Sequence, residues 1–409
     1  MIRRSHPLLI AFVTLAVMAR ALRAQAGPAP LTRAEAVEMA LARGARLGAA
    51  RADTAVARAQ LATARAFENP TASASYSKSA PQQHYALDVP LDYPWLRSAR
   101  VGAARTGMLA AQYRFRFARA AIALDVDTTY TRTLATRERA RLSQRNAADA
   151  DSLLRMAIAR RDAGDASDLD VALATVNAGQ QANLAASDSF TFLSTLLDLQ
   201  AAIGLAADFV AVMPTDSLTL PPLDSIVGDG QLASPTLQVA AAEAAFRSAV
   251  LSTRFARRNV FGAPSLTAGF ETHDPGEPGM LPTFGIALPL PILNWNRGPI
   301  LQAQAERDRA RAELALATVE SRTQVLRAAR ARSVALAKVR RDVNLVESAR
   351  RVAAMSLTAY REGASPIATV LEAQRNARDV IAQYVDDLAE AWIAIATLRV
   401  LTLTPANTP

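Results

Sequence analysis

Tyr85-Ala86-Leu87-Asp88-Val89-Pro90-Leu91 decides the fold, because its pattern returns 199 residues later as Phe284-Gly285-Ile286-Ala287-Leu288-Pro289-Leu290. In both copies every second residue is large and apolar, the residues between are small, polar or proline, and the proline holds the same place. Strict period-two alternation marks a strand with one greasy face and one wet or crowded face. A partner segment precedes each copy, at an offset of 194 residues. Ala72, Ala74 and Tyr76 match Leu266, Ala268 and Phe270, and the opposite face carries Ser73, Ser75 and Ser77 in one copy and Ser265, Thr267 and Gly269 in the other. Each half therefore reads as a hairpin. The first turns around residues 79–82, and the second through a polar loop, 271–279, with Glu271, Asp274, Glu277, Pro275 and Pro278.

Around each hairpin the vocabulary is helical. Of the 409 residues 51% are hydrophobic yet only 5% aromatic, so small side chains that let helices approach closely make up much of the apolar content. Thr32-Arg33-Ala34-Glu35 is a capping box, and the helix it opens runs to about Phe67, where Asn69-Pro70 stops it. In the second half the equivalent helix starts near Ser234-Pro235 and ends before Ala263-Pro264. After each hairpin comes a run of 64 residues without an internal proline, 98–161 and 299–362. Each would stretch about 96 Å as one helix, a length that demands coiled-coil support. Leu336, Val339, Val343, Val346, Ala353, Leu357 and Tyr360 supply it at 3-4 spacing, with Arg350 interrupting the seam. Gly164 and Gly363 break the two runs, and returning helices follow, capped by Ser167 or Asp168 in the first half and opened by Ser365-Pro366 in the second. The resulting organisation is a leader over 1–26, a first repeat over 27–203, a Pro/Asp/Gly-rich connector over 204–233, a second repeat over 234–403 and a disordered tail over 404–409.

The leader reads as a secretory signal, with Arg3 and Arg4, an apolar run over 8–19 and Ala24-Gln25-Ala26 as the cleavage pattern. The formal charge of +9 includes four arginines of the leader, which leaves +5 for the exported chain. Export makes nucleic acid an unsuitable partner, and the arginines are mixed with acids as on solvated helix faces. No cysteine is present and only three histidines, His6, His84 and His273, lie far apart. Thiol chemistry, disulfides and His-based triads lack raw material, so the reading is not an enzyme, with no cofactor and no metal. Asp162, Asp165, Asp168 and Asp170 lack the spacing and closing Glu of a calcium loop.

Four strands of about nine residues are long enough to cross a bilayer when tilted, but four cannot close a barrel. An open edge in lipid would strand backbone amides at several kcal/mol each. Both the strands and the long amphipathic helices therefore point to a tube built from several chains.

Over essentially the whole exported chain the sequence resembles the TolC-like outer-membrane efflux proteins. The residues that carry this are 31–42, Asn69-Pro70, Leu288-Pro289-Leu290-Pro291, 164–173 and 360–374, the last including Val370-Leu371-Glu372-Ala373-Gln374. The resemblance implies a mainly α fold with a small transmembrane β part and a two-fold internal repeat. Long coiled-coil hairpins would form a periplasmic α-barrel, and four strands per chain would enter a 12-stranded barrel of a homotrimer. Tyr85, Leu87, Val89, Leu91, Phe284, Ile286, Leu288 and Leu290 would then face outer-membrane lipid. The implied function is a passive conduit of a tripartite efflux or type I secretion system, opened when an inner-membrane pump and its adaptor dock. The turns at Gly164, Asp165, Gly363 and Ser365 would meet the adaptor. Tyr360 and Asp170 match the family's aperture tyrosine and aspartate, and Glu372 a lumenal acid. The family's arginine falls at Ser365, leaving Arg361 as the neighbouring candidate. A periplasmic coiled-coil adaptor without a pore is the competing reading, although such proteins usually carry a single helical hairpin and no doubled strand pairs.

Overall fold

The computed structural model describes residues 28–205, 210, 212–221, 235–277 and 279–406. The expected signal segment, Gly228-Asp229-Gly230 of the connector, Ser234, Pro278 and the last three residues lie outside these. The elements are β1 (Ala29–Leu31), α1 (Arg33–Arg43), α2 (Ala45–Arg65), β2 (Thr71–Tyr76), β3 (Gln83–Pro90), α3 (Pro94–Asp162), α4 (Asp168–Ala202), β4 (Val212–Pro214), α5 (Leu237–Arg258), β5 (Ser265–Thr272), β6 (Leu281–Ala287), α6 (Arg297–Arg361) and α7 (Ile367–Leu401). The doubling is plain in their lengths, 69 and 65 residues for α3 and α6, and 35 for both α4 and α7. Among the described residues no helix is long and apolar enough to cross a membrane.

The chain divides into two units, one of residues 48–118, 229–325 and 401 onward, the other of residues up to 47, 119–228 and 326–400. The first holds an antiparallel sheet in the order β2-β3-β5-β6. Its register places Ala74, Tyr85, Phe270 and Pro282 in one row, Ala72, Leu87, Ala268 and Phe284 in the next, and Val89, Leu266 and Ile286 in a third. The apolar set of both hairpins thus shares one face. The other face carries Ser73, Ser75, His84, Asp88, Thr267, Glu271 and Thr283, where Thr267 donates to Asp88 and His84 Nδ1 lies 3.1 Å from Glu271 Oε1. Gly269 sits in the middle of that face because nothing larger fits. A Cβ there would stand 2.4 Å from the Tyr85 carbonyl oxygen and 2.8 Å from Thr283 Oγ1.

The strands are six to eight residues long rather than about nine, so Leu91, Leu288 and Leu290 fall just past strand ends. Leu91 still donates its N–H to the Pro264 carbonyl at 2.7 Å. In the same unit α3, α5 and α6 pack through small residues. Ser248 donates to the Ala103 carbonyl at 2.8 Å and Thr253 to that of Ala303 at 2.9 Å. The expected disordered tail is corrected in part, since the Leu403 carbonyl accepts the first N–H of α5 at 2.9 Å and Thr402 and Thr404 are buried. That bond stands in for a side-chain cap, which Thr236 does not provide.

The second unit contains α1, α4, α7 and the remaining lengths of α3 and α6. The capping box at Thr32 and Glu35 forms as read, but the helix after it breaks at Gly44. There the backbone turns extended (ψ 123°) and the glycine N–H still bonds back to Ala40. A Cβ at Gly44 would lie 2.4 Å from the Ala40 carbonyl oxygen. The connector is also more ordered than expected, since β4 pairs in parallel with β1, covering a core of Leu31, Ala36, Val126, Tyr130, Leu134 and Leu199. Arg33 fastens it, with its guanidinium between the rings of Tyr130 (5.5 Å) and Trp392 (5.0 Å) and paired with Asp127. Asp216 accepts the Tyr130 hydroxyl at 2.8 Å, and burial with this bond pushes the phenol up to about 12.

Candidate functional site

Gly164 and Gly363 both adopt positive φ, 86° and 78°, as a helix end turned by a left-handed residue requires. The two turns use the same bonds. Asp165 N–H reaches the Arg160 carbonyl and Gly164 N–H that of Arg161, while Ala364 and Gly363 do the same to Ala359 and Tyr360, all at 2.8–3.1 Å. One local device therefore closes both long helices, and Gly164, Asp165 and Gly363 are exposed with Ser365 half-buried.

Between the turns Tyr360 is buried against Leu153, Ala157, Ala174, Ile367 and Val370, which come from α3, α4 and α7. Its partner is a residue the sequence reading missed. Arg160 lays its guanidinium 4.8 Å from the centre of the Tyr360 ring and donates to the Tyr360 carbonyl, tying the end of α3 to the end of α6. A cation there also faces the negative end of α6. Arg361 is exposed and does not take this role. The Tyr360 hydroxyl is buried without a partner. Burial raises its pKa, the Arg160 charge works against that rise and Asp170 adds to it. Asp170 itself completes the capping box of α4, accepting the Ser167 N–H at 3.1 Å. Glu372 is exposed on α7, with Asn376 donating to it at 3.3 Å.

A second polar group lies between α6 and α7. The 3-4 seam slips by one residue, so that Val343 is exposed and Asp342 turns into the packed face. There it meets the carboxyl of Asp387, only 4% exposed, which also receives Lys338 Nζ at 3.3 Å and Gln383 at 3.1 Å. Asp342 Oδ2 is buried with no donor, and burial, then the contact with Asp387, raises the Asp342 pKa. Burial also pushes Asp387 up, but hydrogen bonds from Gln383, Asp342 and Lys338 outweigh it and lower its pKa.

In the sheet unit the apolar face has no cover among the described residues. Phe284 is 84% and Ile286 76% exposed, and Tyr85, Leu87, Val89, Leu266 and Phe270 are exposed as well. The tyrosine and phenylalanine stack on one another at 5.0 Å. The outer edges of β2 and β6 pair with nothing among the described residues.

No known family profile matches the chain. The pyoverdine export outer membrane protein OpmQ of Pseudomonas aeruginosa is 28% identical over 309 residues, which are 68% of this chain and 60% of that protein. The match therefore spans less than two thirds of the relative's length. Three solved structures share the fold at low identity. The outer-membrane channel OprN has a TM-score of 0.76 at 16% identity, covering 90% of this chain and 89% of its own. The outer membrane protein VceC of Vibrio cholerae gives 0.77 at 17%, over 91% and 96%. The CmeC outer membrane channel of Campylobacter jejuni gives 0.77 at 16%, over 90% and 85%.

Proposed function

We propose that this chain, a TolC-like outer-membrane factor by fold and by sequence resemblance, is one protomer of a trimeric efflux channel in the outer membrane. A single observation carries the reading: a four-stranded sheet with one continuous apolar face in the open and both outer edges unpaired. In water such a face and such edges would aggregate, and in lipid each unpaired backbone group would cost several kcal/mol. Copies of the same sheet joined edge to edge remove both costs at once. Three copies give twelve strands, above the roughly eight at which membrane barrels begin, and place the serine, threonine and carboxylate face toward a wet lumen. A pore-free adaptor has no use for an exposed apolar sheet face.

The helical turns are then the aperture. Arg160, Tyr360 and the paired turns at Gly164 and Gly363 hold it closed, and an adaptor with its inner-membrane pump docks there to open it. The chain does no chemistry, and transport energy comes from the pump. Glu372 from each of three copies forms a ring of negative charge that favours cations.

Purified protein reconstituted into planar bilayers tests this. The expected result is a channel from a cross-linkable trimer, blocked by cations from the side of the turns and relieved of that block by Glu372→Gln. A soluble monomer without conductance, washed from the membrane fraction by high salt, would overturn the proposal.

A further inference from the structure

Two carboxyls, Asp342 and Asp387, sit in the packed seam between α6 and α7, where neither the sheet nor the aperture needs them. Both lie about 30 Å along the hairpin from the turn at Gly363, beside the cluster of Leu336, Val339, Leu388 and Ala391. The doubled plan does not require the pair. One repeat earlier, by the 199 residues that separate Gly164 from Gly363, the matching residues are Ser143 and Asp188. Ser143 is buried and donates to the Arg139 carbonyl at 3.0 Å, so the first hairpin fills that place with a neutral, paired group.

The carboxyls of the second hairpin are served unequally. Asp387 accepts from Lys338 at Oδ1 and from Gln383 at Oδ2, whereas Asp342 Oδ2 is sealed from water with no donor. Lys338, one turn before Asp342, is already held between Asp387 at 3.3 Å and Glu390 at 3.0 Å. Arg341 is exposed. Arg139 of α3 occupies Asp386 at 2.6 Å, Tyr384 is partly buried beside the cluster, and Leu218 of the connector brings no charge. Three carboxyls, Asp342, Asp387 and Glu390, thus gather round one lysine. An anionic oxygen buried without a donor is costly. Once protonated it becomes a donor itself, and the Asp387 carboxylate in contact with it is the acceptor.

We infer that Asp342 and Asp387 hold one proton between them and that its uptake draws α6 and α7 together, so that the closed aperture is favoured as the periplasm turns mildly acid. The inference rests on the channel reading above and adds a regulator to it. Burial, then the contact with Asp387, raises the Asp342 pKa against the charges of Arg341 and Lys338. The packed hairpin therefore gains stability as pH falls from neutral through that raised value, and the gain is complete at the ordinary carboxylate value. Asp387 is pushed up by burial but lowered on balance by its bonds with Gln383, Asp342 and Lys338. Its contribution is lost only in stronger acid, so closure peaks while the pair carries a single proton.

Single-channel recording in planar bilayers, with pH varied on the side of the turns, tests this. Hydrogen exchange of α6 and α7 in detergent is a second readout that needs no conductance. From neutral to mildly acid pH the open fraction of the parent is expected to fall by up to about tenfold, the ratio that one unit of difference in proton affinity between open and closed states supplies. Corrected for intrinsic rates, amides near Val339 and Leu388 exchange more slowly over the same range. Asp342→Asn, uncharged at every pH, holds both readouts near their mildly acid level, and Asp342→Ser, which copies the first repeat, does the same. His84→Gln with His273→Gln leaves the parent's response in place. A response of equal size in Asp342→Asn and Asp342→Ser would overturn the shared proton while leaving the channel intact. Absence of conductance at every pH, with the exchange response present, would remove the channel reading and leave the proton site standing.

Discussion

Phe284→Arg separates a sheet that faces lipid from one that faces water. Phe284 is the middle residue of β6 and 84% exposed in the single chain. If its surroundings were water, a substitution there would change stability by no more than about 0.5 kcal/mol. If its surroundings are the middle of a bilayer, an arginine costs about 2–4 kcal/mol. Loss of the buried phenylalanine adds about 1.5–3 kcal/mol, giving about 3.5–7 kcal/mol per chain and roughly three times that in a trimer. Ser73→Arg is the control, since Ser73 lies in the neighbouring row on the polar face, through the register Ser73↔Ala86↔Gly269↔Thr283. It is expected to change stability by less than about 1 kcal/mol. The assay is folding into phosphatidylcholine vesicles across a urea series, followed by the shift in gel mobility between boiled and unboiled samples. Equal folding of Phe284→Arg, Ser73→Arg and the parent would refute the assignment of the apolar face to lipid.

Three further outcomes are expected. Arg160→Ala removes both the ring contact and the bond to the Tyr360 carbonyl, destabilising the turns by about 1–2 kcal/mol and raising resting conductance in planar bilayers; an unchanged closed fraction would remove Arg160 from the gate. Gly363→Ala forces a Cβ into φ 78°, which costs about 1–2 kcal/mol and should speed proteolysis at that turn while leaving the sheet folded. Asp342→Asn raises thermal stability at neutral pH by about 1–3 kcal/mol. Because folding raises the Asp342 pKa, its contribution is favourable below the ordinary carboxylate range and is lost as pH rises through the folded value, so the variant's advantage should vanish in acid. Asp387 runs the other way, its lowered pKa giving stability that acid removes. Melting curves across pH distinguish the two, and a variant advantage that grew on acidification would contradict the pairing.

Strand faces, hairpin partners and the doubled plan were legible in the linear chain because they are local. A period of two leaves no freedom over which of Leu87 and Asp88 shares a face with Val89, and a glycine after a long helical run turns it in the same way at 164 and at 363. The helix seam was half legible. The expected face was found at Leu336, Val339, Val346 and Tyr360, but at one turn between them the seam slips to Asp342 in place of Val343. That slip brought two carboxyls together from α6 and α7. The partner of Tyr360 was hidden altogether. Arg160 lies 200 residues away, and nothing in either segment's pattern distinguishes it from Arg161 beside it. The pairing of β1 with β4 and the docking of Leu403 on α5 were hidden in the same way, since each is a backbone bond whose partner comes from elsewhere. Periodicity tells a residue which way to face, because that is a property of its own helix or strand. What it meets there depends on how distant segments pack, and only the folded chain decides that.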